Sequence, residues 1–253
     1  MKIYVIIIAI LFFSLNSCDN EIKQKESVII NKGEVKEDKQ EVEKIGIKKK
    51  TEINGLWLNK EYYSNIIKFK DPRKYQESSE ISFLKIDSSA NKILIAWNFH
   101  EGINGNLKNI NSKYYFEENP IEFKNNELIY KENRFVKLDG VDNDSFILNK
   151  LIFNGKYLSE SDTVVFYKNG KIKGLKGFKF YQPIIDYMDS GMDVNQLYLG
   201  KESTNHYINS ELFGFDFEND TLIIYELECS EKIENDCMIV KFGEIKEKLI
   251  KLE

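Results

Sequence analysis

Short apolar runs alternate with polar residues along most of the chain after residue 52, and Asn, Gly and Asp separate one run from the next. This pattern is typical of β-strands joined by tight turns. The runs richest in Val, Ile, Phe and Tyr predict strands at Ile81–Ile86, Ile93–Phe99, Glu127–Tyr130, Phe135–Leu138, Ser145–Phe153, Val164–Tyr167 and Leu222–Leu227. Because the connections are short, we expect antiparallel pairing in a mainly β fold, either a barrel or a sandwich.

Three dipeptides at the centre of such connections predict hairpins. Asn169-Gly170 separates two apolar runs, and Asn125-Asn126 and Asn219-Asp220 occupy similar places. Asn, Asp and Gly tolerate the positive φ values that two-residue hairpin turns require. Each dipeptide therefore indicates that the strands on either side of it pair with each other.

The two halves of this region resemble each other. Asn54–Leu58 resembles Asn154–Leu158, the hairpin at Phe123–Ile129 resembles Phe217–Ile223, and Phe135–Leu138 resembles Ile239–Phe242. Offsets of about 100, 94 and 104 residues favour two related β modules, 53–150 and 151–253, each the size of a small domain. Chance similarity of common turn patterns stays open, as does one continuous domain over 53–253.

One segment departs from the strand pattern. Tyr181, Ile184, Ile185 and Met188 fall at helical spacing, with Pro183 suited to a first turn and Gly191 to an end. This spacing predicts one short helix near 181–190, against a sheet or at the end of a barrel.

The N-terminus has the pattern of a secretory signal peptide. Met1-Lys2 precedes the apolar run Ile3–Phe13, which ends at the small and polar residues Ser14–Ser17. The run is shorter than the roughly 20 residues that span a bilayer, which argues against a membrane-spanning helix. We therefore expect residues 1–17 to be a signal peptide.

Leu15-Asn16-Ser17-Cys18 resembles the lipobox of bacterial lipoproteins. The resemblance implies cleavage before Cys18, a diacylglycerol thioether on its sulfur, and a further acyl chain, such as palmitate, on the new amino group. It also implies a lipid-anchored protein of the bacterial cell envelope, at the outer membrane or cell surface rather than the inner membrane. Asp19 after the cysteine leaves the membrane leaflet open.

Residues 19–52 separate Cys18 from the β region. Eighteen of these 34 residues are charged and none is aromatic, so the segment has little apolar surface to bury. We expect residues 18–52 to form a lipidated cysteine and a flexible tether with ends roughly 30 Å apart. A solvated helix around Val35, Val42 and Ile45 is the alternative.

Composition excludes some partners. The chain of 253 residues is 42% hydrophobic and 13% aromatic, which suffices for a core, and 36 basic against 41 acidic residues leave a formal charge of −5. Because basic and acidic residues are spread along the chain without a basic face, nucleic acid is not an expected partner.

The sequence lacks the residue clusters that enzymes use. His100 and His206, the two histidines, lie far apart in sequence. Asp189-Ser190-Gly191 resembles an aspartic-protease signature, but Asp87-Ser88-Ser89 is a poor second copy, and helical spacing before Asp189 argues against it. The acidic loops 139–144 and 189–195 have oxygens suited to calcium, but neither matches an EF-hand loop, and acidic turn residues normally face water. We expect no catalytic residues, no metal and no cofactor.

Cys229 and Cys237 flank a polar turn between two strands. In an oxidising envelope they could form a disulfide across a hairpin, and two free buried thiols are the alternative.

Gly55-Leu56-Trp57 at the start of the β region is similar to the Gly-x-Trp motif of lipocalin-like barrels. The resemblance implies a closed barrel that holds an apolar ligand, with Trp57 plugging the barrel rather than touching that ligand. A hydrophobic small molecule is therefore the expected partner. The alternative is a protein-interaction or inhibitor or immunity-type module with a filled core and an exposed aromatic patch at Tyr62-Tyr63 or Tyr114–Phe116.

Overall fold

A computed structural model describes residues 53–160, 162–188, 192–201, 209–234 and 236–252. The signal peptide, the lipidated Cys18 and the tether predicted for residues 1–52 lie outside the described residues. The strands are β1 (Gly55–Asn59), β2 (Ile81–Asp87), β3 (Lys92–Trp97), β4 (Glu101–Ile110), β5 (Lys113–Phe116), β6 (Asn119–Lys124), β7 (Glu127–Tyr130), β8 (Asn133–Lys137), β9 (Gly155–Leu158), β10 (Thr163–Phe166), β11 (Ile172–Lys173), β12 (Phe180–Pro183), β13 (Gln196–Gly200), β14 (Ser210–Glu218), β15 (Thr221–Ile233) and β16 (Asp236–Leu252). The helices are α1 (Lys60–Phe69) and α2 (Pro72–Tyr75), with a 3-10 turn at Asp144–Phe146 and a π-helical turn at Asn149–Phe153.

The strands form two antiparallel sheets of eight strands each. In the first barrel, β1 to β8 pair in chain order and β8 closes against β1, where Lys137 lies opposite Trp57. In the second sheet, β9 pairs with both β10 and β16, and a single bridge between Lys171 and Phe180 links the ends at β11 and β12. The prediction of a mainly β, antiparallel fold is confirmed, and we call the nearly closed second sheet the second barrel.

The two barrels share strand registers as well as strand order. Leu128 lies opposite Phe135 in the first barrel, and Leu222 lies opposite Leu249 in the second. Likewise, Lys137 faces Trp57 and Lys251 faces Tyr157.

The third sequence match between the two halves does not agree with the strand registers. Phe135–Leu138 corresponds in register to 249–252, and not to Ile239–Phe242. The reason is that the β15–β16 hairpin is about twenty residues longer than the β7–β8 hairpin, so its outer part has no counterpart in the first barrel.

The interior of the first barrel is filled by side chains. Its buried residues are Ile53, Trp57, Ile81, Leu84, Ile86, Ile93, Ile95, Leu107, Tyr114, Phe116, Ile121, Leu128, Tyr130 and Phe135. The packing is tight enough that residue 105 must be glycine, since a Cβ there would lie 2.1 Å from the Phe116 ring.

A second core joins the two barrels. It contains Leu58 on the outer face of β1, Tyr62 and Ile66 on α1, and Phe153 and Phe215 of the second half. Asn59 begins α1, because its side-chain oxygen accepts hydrogen bonds from the backbone N–H groups of the first turn. Helix α1 therefore covers the outer face of β1, and Leu58 on that face becomes part of the shared core.

Two local predictions were wrong. Tyr181 belongs to strand β12, where it pairs with Leu199, and no helix forms over 184–188, while 189–191 lie outside the described residues. Residues Ser145–Phe153 form the 3-10 and π turns instead of a strand. In both cases burial within the shared core decided the conformation, because short apolar runs fit strand and helix equally well.

Among the described residues, none of the helices has the length and apolar character needed to cross a membrane.

Candidate functional site

A cleft of about 550 Å³ opens at one end of the first barrel. It lies where Ile53, two residues before β1, meets the β4–β5 turn and strands β5 and β6. Its apolar lining includes Ile53, Tyr114, Ile121 and Phe123, and its polar edge is formed by Ser112, Lys113, Glu122 and Lys124. The volume falls within the range of small-molecule sites in proteins.

Phe123 lines the cleft and contacts the barrel core through Trp57. Ile121 and Phe123 occupy alternate positions of β6, so both point toward the barrel interior. Ile121 is buried, whereas Phe123 remains 40% exposed. The Phe123 ring meets the edge of the Trp57 ring, with 5.8 Å between centroids.

Trp57 belongs to the buried core of the first barrel and contacts Phe123. Its indole Nε1 donates a 2.7 Å hydrogen bond to the backbone oxygen of Ile53, and the side chain is buried. The Lys137 ammonium lies 5.6 Å from the centroid of the Trp57 ring. The indole is therefore held by a hydrogen bond and by its contact with Phe123, and it links the cleft lining to the filled interior.

In the second barrel, the corresponding end is covered. Phe217 precedes the Asn219 turn as Phe123 precedes the Asn125 turn, and its ring contacts the Phe153 ring at 5.6 Å. Lys70, at the end of α1, places its ammonium 5.1 Å from the Phe217 ring and donates to the backbone oxygen of Asn219. The chain itself thus occupies this end of the second barrel.

The edge of the first-barrel cleft combines positive charge with a neutral phenol. Lys113 and Lys124 flank it, and Glu122 is the acidic residue of the lining. Burial raises the pKa of the Tyr114 phenol, so the hydroxyl stays protonated at neutral pH. Such an edge can receive an anionic or hydrogen-bonding group attached to an apolar body.

A second cleft, of about 630 Å³, lies between Ile245–Lys248 of β16, the β9–β10 turn and Gly174–Lys176. Glu160 and Asp162 face Lys176 and Lys246 across it, so acidic and basic side chains are mixed. Its apolar lining consists of Val164, Leu175 and Ile245 and includes no aromatic side chain.

The structure brings together few of the residues considered for catalysis. His100 Nδ1 lies 2.8 Å from Asp186 Oδ2 and links the first barrel to the second half. Asp87 is exposed at the end of β2, where a hydrogen bond from the Ser89 hydroxyl lowers the pKa of its carboxyl. His206 and Asp189-Ser190-Gly191 lie outside the described residues. In the part of the chain that the structure describes, no group of three potential metal ligands is found.

Cys229 and Cys237 are joined by a disulfide, with their Cα atoms 5.7 Å apart. The bond crosses the β15–β16 hairpin beyond the point where β15 leaves β14. It braces the part of this hairpin that the first barrel lacks.

The aromatic residues expected to form an exposed patch are largely inside the protein. Tyr62, Tyr114 and Phe116 are buried. The sequence pattern assigns no binding role to Ile53, Ile121 or Phe123. An aromatic residue at a strand end, beside an Asn-Asn turn, nevertheless favours a position at the rim of a barrel.

Comparison of the chain with protein-family models, with curated proteins and with solved structures found no match.

Proposed function

We propose that this chain is a lipid-anchored lipoprotein of the bacterial envelope whose first barrel binds a hydrophobic small molecule at its open end. The observation that carries the proposal is the cleft over Trp57, where Phe123 points inward yet stays 40% exposed. An aromatic side chain in this position gains stability when an apolar ligand removes it from water. The lipobox at Leu15–Cys18 supports the anchor.

The ligand that fits this cleft is an apolar molecule with one polar end. Ile53, Ile121 and Phe123 offer apolar contacts, while Lys113 and Lys124 lie at the edge and suit a carboxylate or phosphate. Because the barrel interior is filled, the ligand occupies the end of the barrel and not its centre.

A protein-interaction module is the second candidate. It is favoured by the filled interior of the first barrel and by the braced extension of the β15–β16 hairpin. This role predicts a copurifying protein and no retained small molecule, so native mass spectrometry of protein isolated from its own envelope separates the two candidates.

The binding proposal predicts that the protein takes up parinaric acid, a fluorescent fatty acid, and that Phe123→Ser weakens this binding about tenfold. The serine removes most of the apolar surface that the ligand would cover. Fluorescence titration of the purified chain measures the dissociation constant.

Ile103→Ser is the matched control for this titration. Ile103 is 39% exposed and lies at the opposite end of the first barrel, away from the cleft lining. Equal weakening by both substitutions, or absence of binding to the unaltered chain, would contradict the binding proposal.

The anchor proposal predicts that Cys18→Ser leaves the signal peptide uncleaved at residue 17 and abolishes acylation. The thiol is the attachment point of the diacylglycerol, and serine cannot replace it. Labelling with radioactive palmitate and mass spectrometry of the N-terminus measure the result. An acylated or normally processed Cys18→Ser protein rules the anchor out, whereas Cys229→Ser should leave labelling unchanged.

A further inference from the structure

One outer wall of the second barrel combines exposed apolar side chains with lysines. We call this the lysine-rich wall, and it consists of the outward-facing residues of β9, β10, β11 and the end of β16. They are Lys156, Leu158, Thr163, Val165, Tyr167, Lys173, Lys248, Ile250 and Leu252. The residues between them, such as Tyr157, Val164 and Leu249, are buried inside the barrel.

The apolar residues of this wall are well exposed. Leu158 is 44% exposed, Tyr167 43%, Ile250 53% and Leu252 37%. Leu158 and Ile250 lie directly opposite each other in the β9–β16 pair, so they form one patch. A contiguous exposed patch of this kind marks a contact surface more often than single scattered apolar residues do.

In the first barrel, the equivalent wall is covered by another part of the chain. Leu58, opposite Val136, occupies the position that Leu158, opposite Ile250, occupies in the second barrel. Leu58 is fully buried in a core that includes Tyr62 and Ile66 of α1. No helix follows β9, since β10 begins at Thr163, and none of the described residues provides such a cover for Leu158.

The charge of the wall is of one sign. Lys156, Lys173 and Lys248 point outward among the apolar residues, and none of the outward-facing strand positions of the wall is acidic. Acidic side chains lie at the ends of the wall, with Glu160 and Asp162 near the β9–β10 turn and Asp220 near Lys251. Lysines around exposed aliphatic and tyrosine side chains are the combination that binds anionic lipid surfaces.

We propose that the lysine-rich wall docks on the anionic surface of the membrane. Leu158, Ile250 and Leu252 would lie at the headgroup boundary, with Tyr167 beside them and the lysines on lipid phosphates. In the cell the docking rests on the proposed lipid anchor, because a tethered domain meets the membrane at high local concentration and a weak contact then suffices. The fit of the wall to anionic lipid itself does not depend on acylation.

The test uses the chain from Asp19 onward, which lacks the signal peptide and any acyl chain. Both barrels and both cores lie within residues 53–252, so this protein retains the whole described fold. Sedimentation with vesicles of phosphatidylcholine, with or without phosphatidylglycerol, measures binding. We expect binding to the phosphatidylglycerol vesicles alone, and release at high salt concentration.

Ile250→Glu is expected to lower the partition coefficient at least tenfold, and Lys156→Gln/Lys173→Gln/Lys248→Gln to lower it as much. Ile110→Glu is the matched control, because Ile110 is 54% exposed but lies at the end of β4 in the first barrel. Circular dichroism of each variant verifies that it is folded.

Three outcomes would overturn the docking proposal: no binding to anionic vesicles, binding unaffected by salt, or an equal loss in Ile110→Glu. Capture of an acidic protein by this wall, without vesicle binding, would also overturn it in favour of a protein partner. Since the tested chain carries no acyl group, its result is independent of the Cys18→Ser result, and each proposal can fail alone.

Discussion

Phe153→Ala is expected to lower the free energy of unfolding by about 3–5 kcal/mol and to destabilise both barrels together. Phe153 is fully buried, and its ring contacts the rings of Phe166, Tyr181, Phe215 and Phe217. The truncation leaves a cavity in the core that the two barrels share, where surrounding aromatic rings cannot all move to fill it. Urea unfolding followed by tryptophan fluorescence and by circular dichroism measures the effect.

The fluorescence signal makes this a test of cooperativity. Both tryptophans, Trp57 and Trp97, lie in the first barrel, whereas Phe153 directly precedes the second. If the shared core couples the barrels, the fluorescence transition shifts to lower urea together with the circular dichroism transition. A fluorescence transition that stays in place would mean that the barrels unfold separately. Phe69→Ala, at a 46% exposed position of α1, should change stability far less.

Trp57→Ala is expected to cost about 3–5 kcal/mol and to abolish binding of parinaric acid at the open end of the first barrel. The substitution removes the largest side chain of that barrel core, its hydrogen bond to the Ile53 oxygen and its edge contact with Phe123. Urea unfolding followed by the fluorescence of Trp97 measures stability, and titration of the folded variant measures binding.

Trp57→Phe distinguishes the effect on stability from the effect on ligand binding. Phenylalanine keeps most of the apolar contact but cannot donate to the Ile53 oxygen, so we expect a loss of about 1–2 kcal/mol and weakened rather than abolished binding. If Trp57→Ala bound parinaric acid as tightly as the unaltered chain, the cleft over Trp57 would not be the ligand site.

The hairpins were predictable because their conformation is decided locally. Asn125 and Asn126 have φ values of 54° and 63°, and Asn219 has 56°, which are the values that the turn dipeptides predicted. Gly170, with φ of 81°, ends the turn between β10 and β11 in the same way. These positions require residues that tolerate positive φ, and that requirement is visible in the sequence.

The candidate cleft was not predictable to the same degree. Ile53, Tyr114 and Phe123 are separated by many residues, and they meet because the first barrel closes. Phe217, the equivalent of Phe123 in the second barrel, lies at a covered end, since Lys70 after α1 and Phe153 before β9 lie against its ring. Which end stays open therefore depends on contacts made by residues distant in sequence, such as Lys70 and Phe153 over Phe217.

The sequence by itself determined the strand alternation and the tight turns, because each depends on neighbours within a few residues of one another. Tertiary structure alone decided that Tyr181 lies in a strand, that Ser145–Phe153 turns instead of extending, and that Leu58 is covered while Leu158 is exposed. The apolar residues of the sequence indicate only that burial of their side chains is favourable. The partner that buries them, and so the conformation they adopt, is set by surfaces distant in sequence that meet when the barrels close.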